Sequence, residues 1–199
     1  MGEPLLNLRN VLASLRCLNE DVGIAARGIT VSTVGVPNAL ARLAEHSLQS
    51  TLAVSLHAPN QAIRERIVPS AKAYPLSALL SDCAAYQAST GRRISFEYAL
   101  MAGVNDSPHH AEELAGLLRG HNLAGHVNLI PYNPNPGGAA FERPSNNAIR
   151  RFTEALKAAG CGASVRQTRG SDAAAACGQL RNEWQAKASA LAAVPGASA

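Results

Sequence analysis

Residues 92–120 read RRISFEYALMAGVNDSPHHAEELAGLLRG, and this stretch decides the fold class. Ile94, Phe96 and Tyr98 alternate with Ser95 and Glu97, the period-two pattern of a strand with one apolar face. GVNDSP follows as a turn. Ser107 then stands as a cap before Pro108, and the helix that starts there stops at Gly120. A strand, a short turn and a helix make the repeating unit of a parallel sheet with its helices outside.

The same unit recurs on both sides. RGITVSTVG (27–35), STLAVSLHAP (50–59), HVNLIPYNP (126–134) and GASVRQT (162–168) read as further strands, giving about five. Helices are predicted over VPNALARLAEH (36–46), through NQAIRERIV and LSALLSDCAAYQAS, and over PSNNAIRRFTEALKAAG, where Ser145 caps and Gly160 terminates. A last helix opens at CGQLRNEWQAKAS, and the tail LAAVPGASA looks frayed. No sequence repeat is present. Five strands are too few for a closed eight-stranded barrel. On alternate positions Thr30 and Ser32, Ser55 and His57, and Ser95 and Glu97 share one face, opposite Val31, Leu52, Val54, Leu56, Ile94, Phe96 and Tyr98. Polar residues on one face of successive parallel strands describe either a concave ligand-holding side or small residues filling a narrow interior.

The chain has 199 residues, enough for one domain with a real core; 47% are hydrophobic and 16% charged. No run approaches the roughly 18 apolar residues of a membrane helix, and MGEPLLNLRN lacks the pattern of a secretory signal. Arginine outnumbers lysine fifteen to three within a net charge of +4, a mild bias that suits phosphate contacts and leaves nucleic acid open as a partner. Four cysteines without Cys-x-x-Cys spacing form neither a disulfide framework nor a complete zinc or iron–sulfur site. A reducing compartment follows.

Several residues can carry chemistry, each with a plainer alternative. Glu3 offers a carboxylate to a ligand ammonium, or is an exposed terminal acid. His57 ends a strand, where it holds a ligand, moves a proton or caps the strand. His109 and His110 read as solvated. Asn128, Asn133 and Asn135 surround IPYNPNPGG and read as turn residues, Asn133 being the best candidate for more. Cys17 and Cys83 fall in helical, apolar-spaced stretches and read as core. Cys177, in QTRGSDAAAACGQLR (167–181), stands near Arg166 and Arg169 at a helix start, a setting that favours thiolate. It is a nucleophile, a ligand or filler.

Taken in order, MGEPLLN, TVSTVG, AVSLHAPN, EYALMAGVND, NLIPYNP and VRQTRGSDAAAACGQL resemble the radical S-adenosylmethionine RNA methyltransferases, specifically the dual-specificity 23S rRNA and tRNA adenine carbon-2 type. The resemblance runs from Gly2 to about Leu180. It implies an α/β fold, part of a six-stranded (β/α)6 TIM-like barrel with roughly the last four strands and outer helices. Residues 1–188 would be the C-terminal portion of the methyltransferase core, and 189–199 a flexible tail. It implies that Gly2 and Glu3 hold the methionine amino group of S-adenosylmethionine, that Ser32, Ser55, Leu56, His57 and Asn133 make further cofactor contacts, and that Cys177 becomes S-methylated. A 5′-deoxyadenosyl radical then takes a hydrogen from that methyl, and the resulting carbon radical attacks adenine.

The resemblance further implies a 4Fe-4S cluster in the full-length protein, rRNA and tRNA partners, a flavodoxin- or ferredoxin-type electron donor, a monomer, and a location in the cytoplasm or in a plastid or other organelle. The cluster motif Cys-x-x-x-Cys-x-x-Cys, expected upstream of GEP, is absent from the sequence. So are the second catalytic cysteine, the N-terminal RNA-binding domain, and the strand and cluster loop before Gly2. The chain is therefore expected to be a piece of a longer protein, or one started at an internal methionine, and inactive alone. A carbon-8 adenine methyltransferase, a noncatalytic remnant that binds S-adenosylmethionine, and an unrelated thiol enzyme stand as alternatives.

Overall fold

The computed structural model describes residues 2–46, 48–123, 125–134 and 141–166. The expected last helix, the tail 189–199, Asn135 and Cys177 lie outside them. Five strands, β1 (Thr30–Thr33), β2 (Thr51–Ser55), β3 (Ile94–Leu100), β4 (His126–Pro131) and β5 (Gly162–Val165), form one parallel sheet in the order β1-β2-β3-β4-β5. Five strands replace the four that the barrel resemblance implied. A doubly wound sheet reverses its strand order at a switch point; this one never does, so each crossover steps the same way. That is the winding of a barrel wall.

The helices are α1 (Leu8–Arg16), α2 (Ala39–Ala44), α3 (Gln61–Ile67), α4 (Leu76–Thr90), α5 (Pro108–Gly120) and α6 (Asn146–Ala158). One sheet face, built from Val31, Leu52, Val54, Ile94, Phe96, Tyr98, Leu100, Val127 and Leu129, is buried with Leu40, Leu79, Leu80, Leu114, Phe152 and Leu156 of the helices. The Tyr98 and Phe152 rings meet at 5.2 Å between centroids. The opposite face carries Ser32, Ser55, Ser95, Glu97, Asn128 and Ser164, all partly or fully exposed. The sequence alternation therefore separates a helix-covered side from a polar concave side. Among the described residues no helix is long and apolar enough to cross a membrane.

Local chemistry sets the boundaries. Ser107 accepts a hydrogen bond from the His110 N–H and Ser145 from that of Ala148, so both caps act as read. Helix α2 begins three residues later than its apolar pattern, because Asn38 takes a left-handed φ of 60°. Cys83 is fully buried, and burial pushes its thiol up to about 12. Cys17 departs from its reading. It lies exposed in a π-helical turn, Cys17–Asp21, because α1 buries Leu12 and Leu15 and a residue two beyond Leu15 points about 200° around the helix.

Gly35 closes β1 with φ +95°, and an added Cβ would sit 2.6 Å from Leu79 Cδ1. Gly35→Ala combines backbone strain with overpacking and should lower unfolding free energy by about 2–3 kcal/mol. Urea titration measures this, and an unchanged midpoint would show that the turn relaxes freely.

Candidate active site

In a parallel sheet every strand ends at the same rim, and the carbonyls beyond the last ladder bond need other partners. At the rim of β1 that partner structure begins with Glu3. Its Oε1 accepts from Thr33 Oγ1 (2.6 Å) and from the Leu5 N–H (3.1 Å), and its Oε2 accepts from the Val34 N–H (2.9 Å). Glu3 is half-buried and pinned, not the loose terminal acid of the plainer reading. A carboxylate has about four acceptor positions. Three are filled and no salt bridge reaches Glu3 among the described residues. The remaining position on Oε2 suits an ammonium donor. Gly2 lies exposed beside it.

The next partner is Arg64, only 1% exposed although it is charged. Its Nη2 donates to Val34 O (2.8 Å) and Ser55 O (3.5 Å), and its Nε donates to Leu56 O (3.2 Å). One guanidinium thus ties the ends of β1 and β2 together. Burial pulls its pKa below the usual value. The Leu56 side chain is fully buried in the core, and both backbone groups of Leu56 are engaged, since its N–H donates to Glu97 O (3.0 Å). What Leu56 brings to the site is the placement of its neighbours.

His57 ends β2 in a left-handed conformation, φ 62°. Its Nδ1 accepts from the Ala99 N–H (3.0 Å), which leaves the ring proton on Nε2 as a donor. Burial, and then the nearby Arg64 charge, lower its pKa from 6.5 to about 4, so the imidazole is neutral at physiological pH. Asn105, wholly buried, locks this arrangement. Its Nδ2 donates to His57 O (2.9 Å) and Ala99 O (2.7 Å), its Oδ1 accepts from the Met101 N–H (2.8 Å), and its own carbonyl accepts from Tyr98 Oη (2.9 Å).

Of the residues singled out in the sequence, Glu3, Ser55 and His57 are joined through this rim. Ser32 lies exposed on the same sheet face, and Asn133 is half-buried just beyond β4. Asn128 is not a turn residue: it sits within β4 and donates to Glu97 Oε2 (2.8 Å). His109 is exposed and His110 half-buried. Arg64 and Asn105 were missed. Arg64 reads only as part of the helical stretch NQAIRERIV and Asn105 only as part of the turn GVNDSP.

A one-way parallel sheet with a hydrogen-bonded rim and a polar concave face defines a partial TIM-like barrel. No protein-family model matches the chain. It is 62% identical to the "Probable dual-specificity RNA methyltransferase RlmN" of Thermosynechococcus vestitus, over 91% of the chain and 53% of the relative. A radical SAM methyltransferase from Sphaerobacter thermophilus superposes with a TM-score of 0.84 at 50% identity, covering 90% of this chain and 52% of that one. A domain of pyruvate-formate lyase-activating enzyme from Bacteroides vulgatus shares the fold at 17% identity, with a TM-score of 0.64 over 84% of this chain and 96% of that one. The fold is that of radical SAM enzymes. By sequence the chain is similar to the RlmN-type RNA methyltransferases, and it spans about half the length of the curated relatives it matches.

The free acceptor position of Glu3, the Nε2 donor of His57 and the adjacent hydroxyls fit S-adenosylmethionine. An iron–sulfur cluster has no such fit, since no group of three or more His, Cys, Asp or Glu among the described residues could hold a metal ion.

Asn105→Ala strips partners from three buried backbone groups and should cost about 3 kcal/mol in a denaturant titration; a loss under about 1 kcal/mol would show that water or a shifted chain replaces the amide. His57 titrates near 6.5 in the unfolded chain and near 4 in the folded one. Between those values the unfolded state binds more protons, so stability rises with pH across that window. His57→Gln should flatten this part of the stability–pH curve, and NMR of the unaltered ring should show no protonation above about pH 5.

Proposed function

We propose that the longer protein, of which this chain is about half, methylates carbon 2 of adenosine in 23S rRNA and tRNA. The observation that carries this reading is the 62% identity to a relative described as a dual-specificity RNA methyltransferase, across 91% of the chain. The rim supports it by chemistry. Glu3 accepts the ligand's ammonium, and Ser32, Ser55 and Asn133 offer hydrogen bonds. His57 donates from Nε2 while staying neutral, so it does not repel a cationic sulfonium. Held by these residues, S-adenosylmethionine would supply the methyl group, and a 4Fe-4S cluster held elsewhere in the longer protein would supply the electron for its radical chemistry. Cys177, carried over from the resemblance, would lose its proton and take the methyl on sulfur as the methyl–sulfonium bond breaks, releasing S-adenosylhomocysteine. That carbon would go on to bond adenine, and its bond to Cys177 would be broken by the second cysteine that the resemblance implies.

None of the four cysteines has the Cys-x-x-x-Cys-x-x-Cys spacing, so the cluster belongs to the other half and the chain alone is inactive. RNA is the partner, a flavodoxin- or ferredoxin-type protein the electron donor, and a monomer in the cytoplasm or an organelle the working form.

The test uses a protein that joins this chain to a cluster-binding half. Cys177→Ala should remove 2-methyladenosine from digested RNA, below detection by mass spectrometry, with iron and sulfide content unchanged. Retained 2-methyladenosine refutes the role of Cys177, and 8-methyladenosine in the unaltered protein refutes the position.

A further inference from the structure

Glu97 has so far entered only through its main chain and as the acceptor of the Asn128 amide. Its side chain lies on the concave face between Ser95 and Ala99, half-buried, and its strand-register partner on β2 is Ser55. The Leu56 and His57 N–H groups both donate to Glu97 O (3.0 and 3.2 Å). His57 Nδ1 is bonded at Ala99 (3.0 Å), the next residue up this face. The carboxylate therefore sits one step below the rim that holds His57.

Its hydrogen bonds have a direction. Ser95 Oγ donates to Oε1 (3.2 Å) and Asn128 Nδ2 to Oε2 (2.8 Å). Asn128 Oδ1 accepts from Ser164 Oγ (3.4 Å), and Ser164 Oγ is 2.7 Å from His126 Nε2. A hydroxyl that gives its proton to Asn128 has only lone pairs left for the imidazole, so Nε2 must be the donor there. Every proton in this chain across β5, β4 and β3 points toward Glu97, and such chains polarise cooperatively. The carboxylate is the terminal acceptor, with two of about four positions filled and no salt bridge among the described residues. A network that only filled the interior would close on itself; this one ends in an anion with acceptor capacity facing the open side.

We infer that Glu97 accepts hydrogen bonds from the donor groups of an adenosine unit bound on the concave face, its ribose hydroxyls or its 6-amino group. This rests on the proposed function, in which both ligands are adenosines, the cofactor and the target nucleotide. A carboxylate in this place also discriminates, because guanine presents a carbonyl oxygen where adenine presents the amine.

Calorimetric titration of the chain with S-adenosylhomocysteine and with adenosine 5′-monophosphate separates the two sources. Glu97→Gln keeps the shape and the acceptor for Asn128, lets the Ser95 hydroxyl turn to accept from the new amide, and removes the charge. It should weaken one probe at least about tenfold and leave the other, and the thermal midpoint, nearly unchanged. With the unaltered chain, the affected probe should lose as much when it lacks the ribose hydroxyls or the 6-amino group, a comparison that needs no variant. Glu97→Gln binding both probes normally, or weakening both alike, overturns the inference alone. An unaltered chain that binds neither probe overturns the functional reading and this inference together.

Discussion

The strand ends depend on one buried cation. Taking a guanidinium out of water costs several kcal/mol unless its donors are satisfied, and Arg64 has no carboxylate partner among the described residues. It is held by the carbonyls of Val34, Ser55 and Leu56. Those carbonyls lie at or just beyond the ends of β1 and β2. Each side thus supplies what the other lacks: the rigid fork of arginine reaches several oxygens at once, which a lysine ammonium on a flexible stem does poorly. The result is a rim whose geometry is set by protein alone, before any ligand arrives.

The peptide of Val34 shows how the constraint spreads. Its N–H holds Glu3 and its carbonyl holds Arg64, so a shift of either is felt by the other through one planar unit. From Arg64 the path runs through Leu56 to His57, and from His57 through Asn105 to the ends of β3 at Ala99 and Met101. The ends of three separate strands are thereby fixed by main-chain contacts. Preorganisation of this kind lowers the ordering cost of binding. It also accounts for a residue such as Leu56 within SLH: its side chain anchors the segment in the core while the flanking Ser55 and His57 remain partly exposed.

What was legible in the sequence was what depends on near neighbours. The alternation in 94–98 named the buried and open faces correctly, and Ser107, Pro108 and Gly120 bounded α5 as observed. The quoted motifs MGEPLLN and AVSLHAPN contain Glu3, Ser55 and His57, which the rim joins by hydrogen bonds. Arg64 escaped because helical periodicity chooses Ile63 and Ile67 as the inward pair, whereas α3 buries Arg64 and the following Val68. Its partners lie up to thirty positions away in sequence, and no local pattern encodes a carbonyl in need of a donor. Asn105 and the Glu97–Asn128 pair failed for the same reason, at separations of 48 and 31. Cys17 failed for a different one: apolar spacing gives a helix face, and a neutral thiol next to that face reads as part of it.

Charge is sorted across the sheet in a way that bears on the ligand. Arg64 is sealed behind the rim, and burial and its charge together hold His57 neutral. Among the described residues, the carboxylates of Glu3 and Glu97 lie on the open side with hydroxyls, amides and the His126 imidazole around them. Such a surface favours a ligand rich in donors and carrying positive charge over one carrying phosphate alone. S-adenosylmethionine has both an ammonium and a sulfonium, and its demethylated product has lost the sulfonium. If S-adenosylmethionine binds here as proposed, the same carboxylates would hold the product less well, since attraction between unit charges at contact distance in a partly desolvated site is worth a few kcal/mol. The arrangement that positions the cofactor would also help it leave.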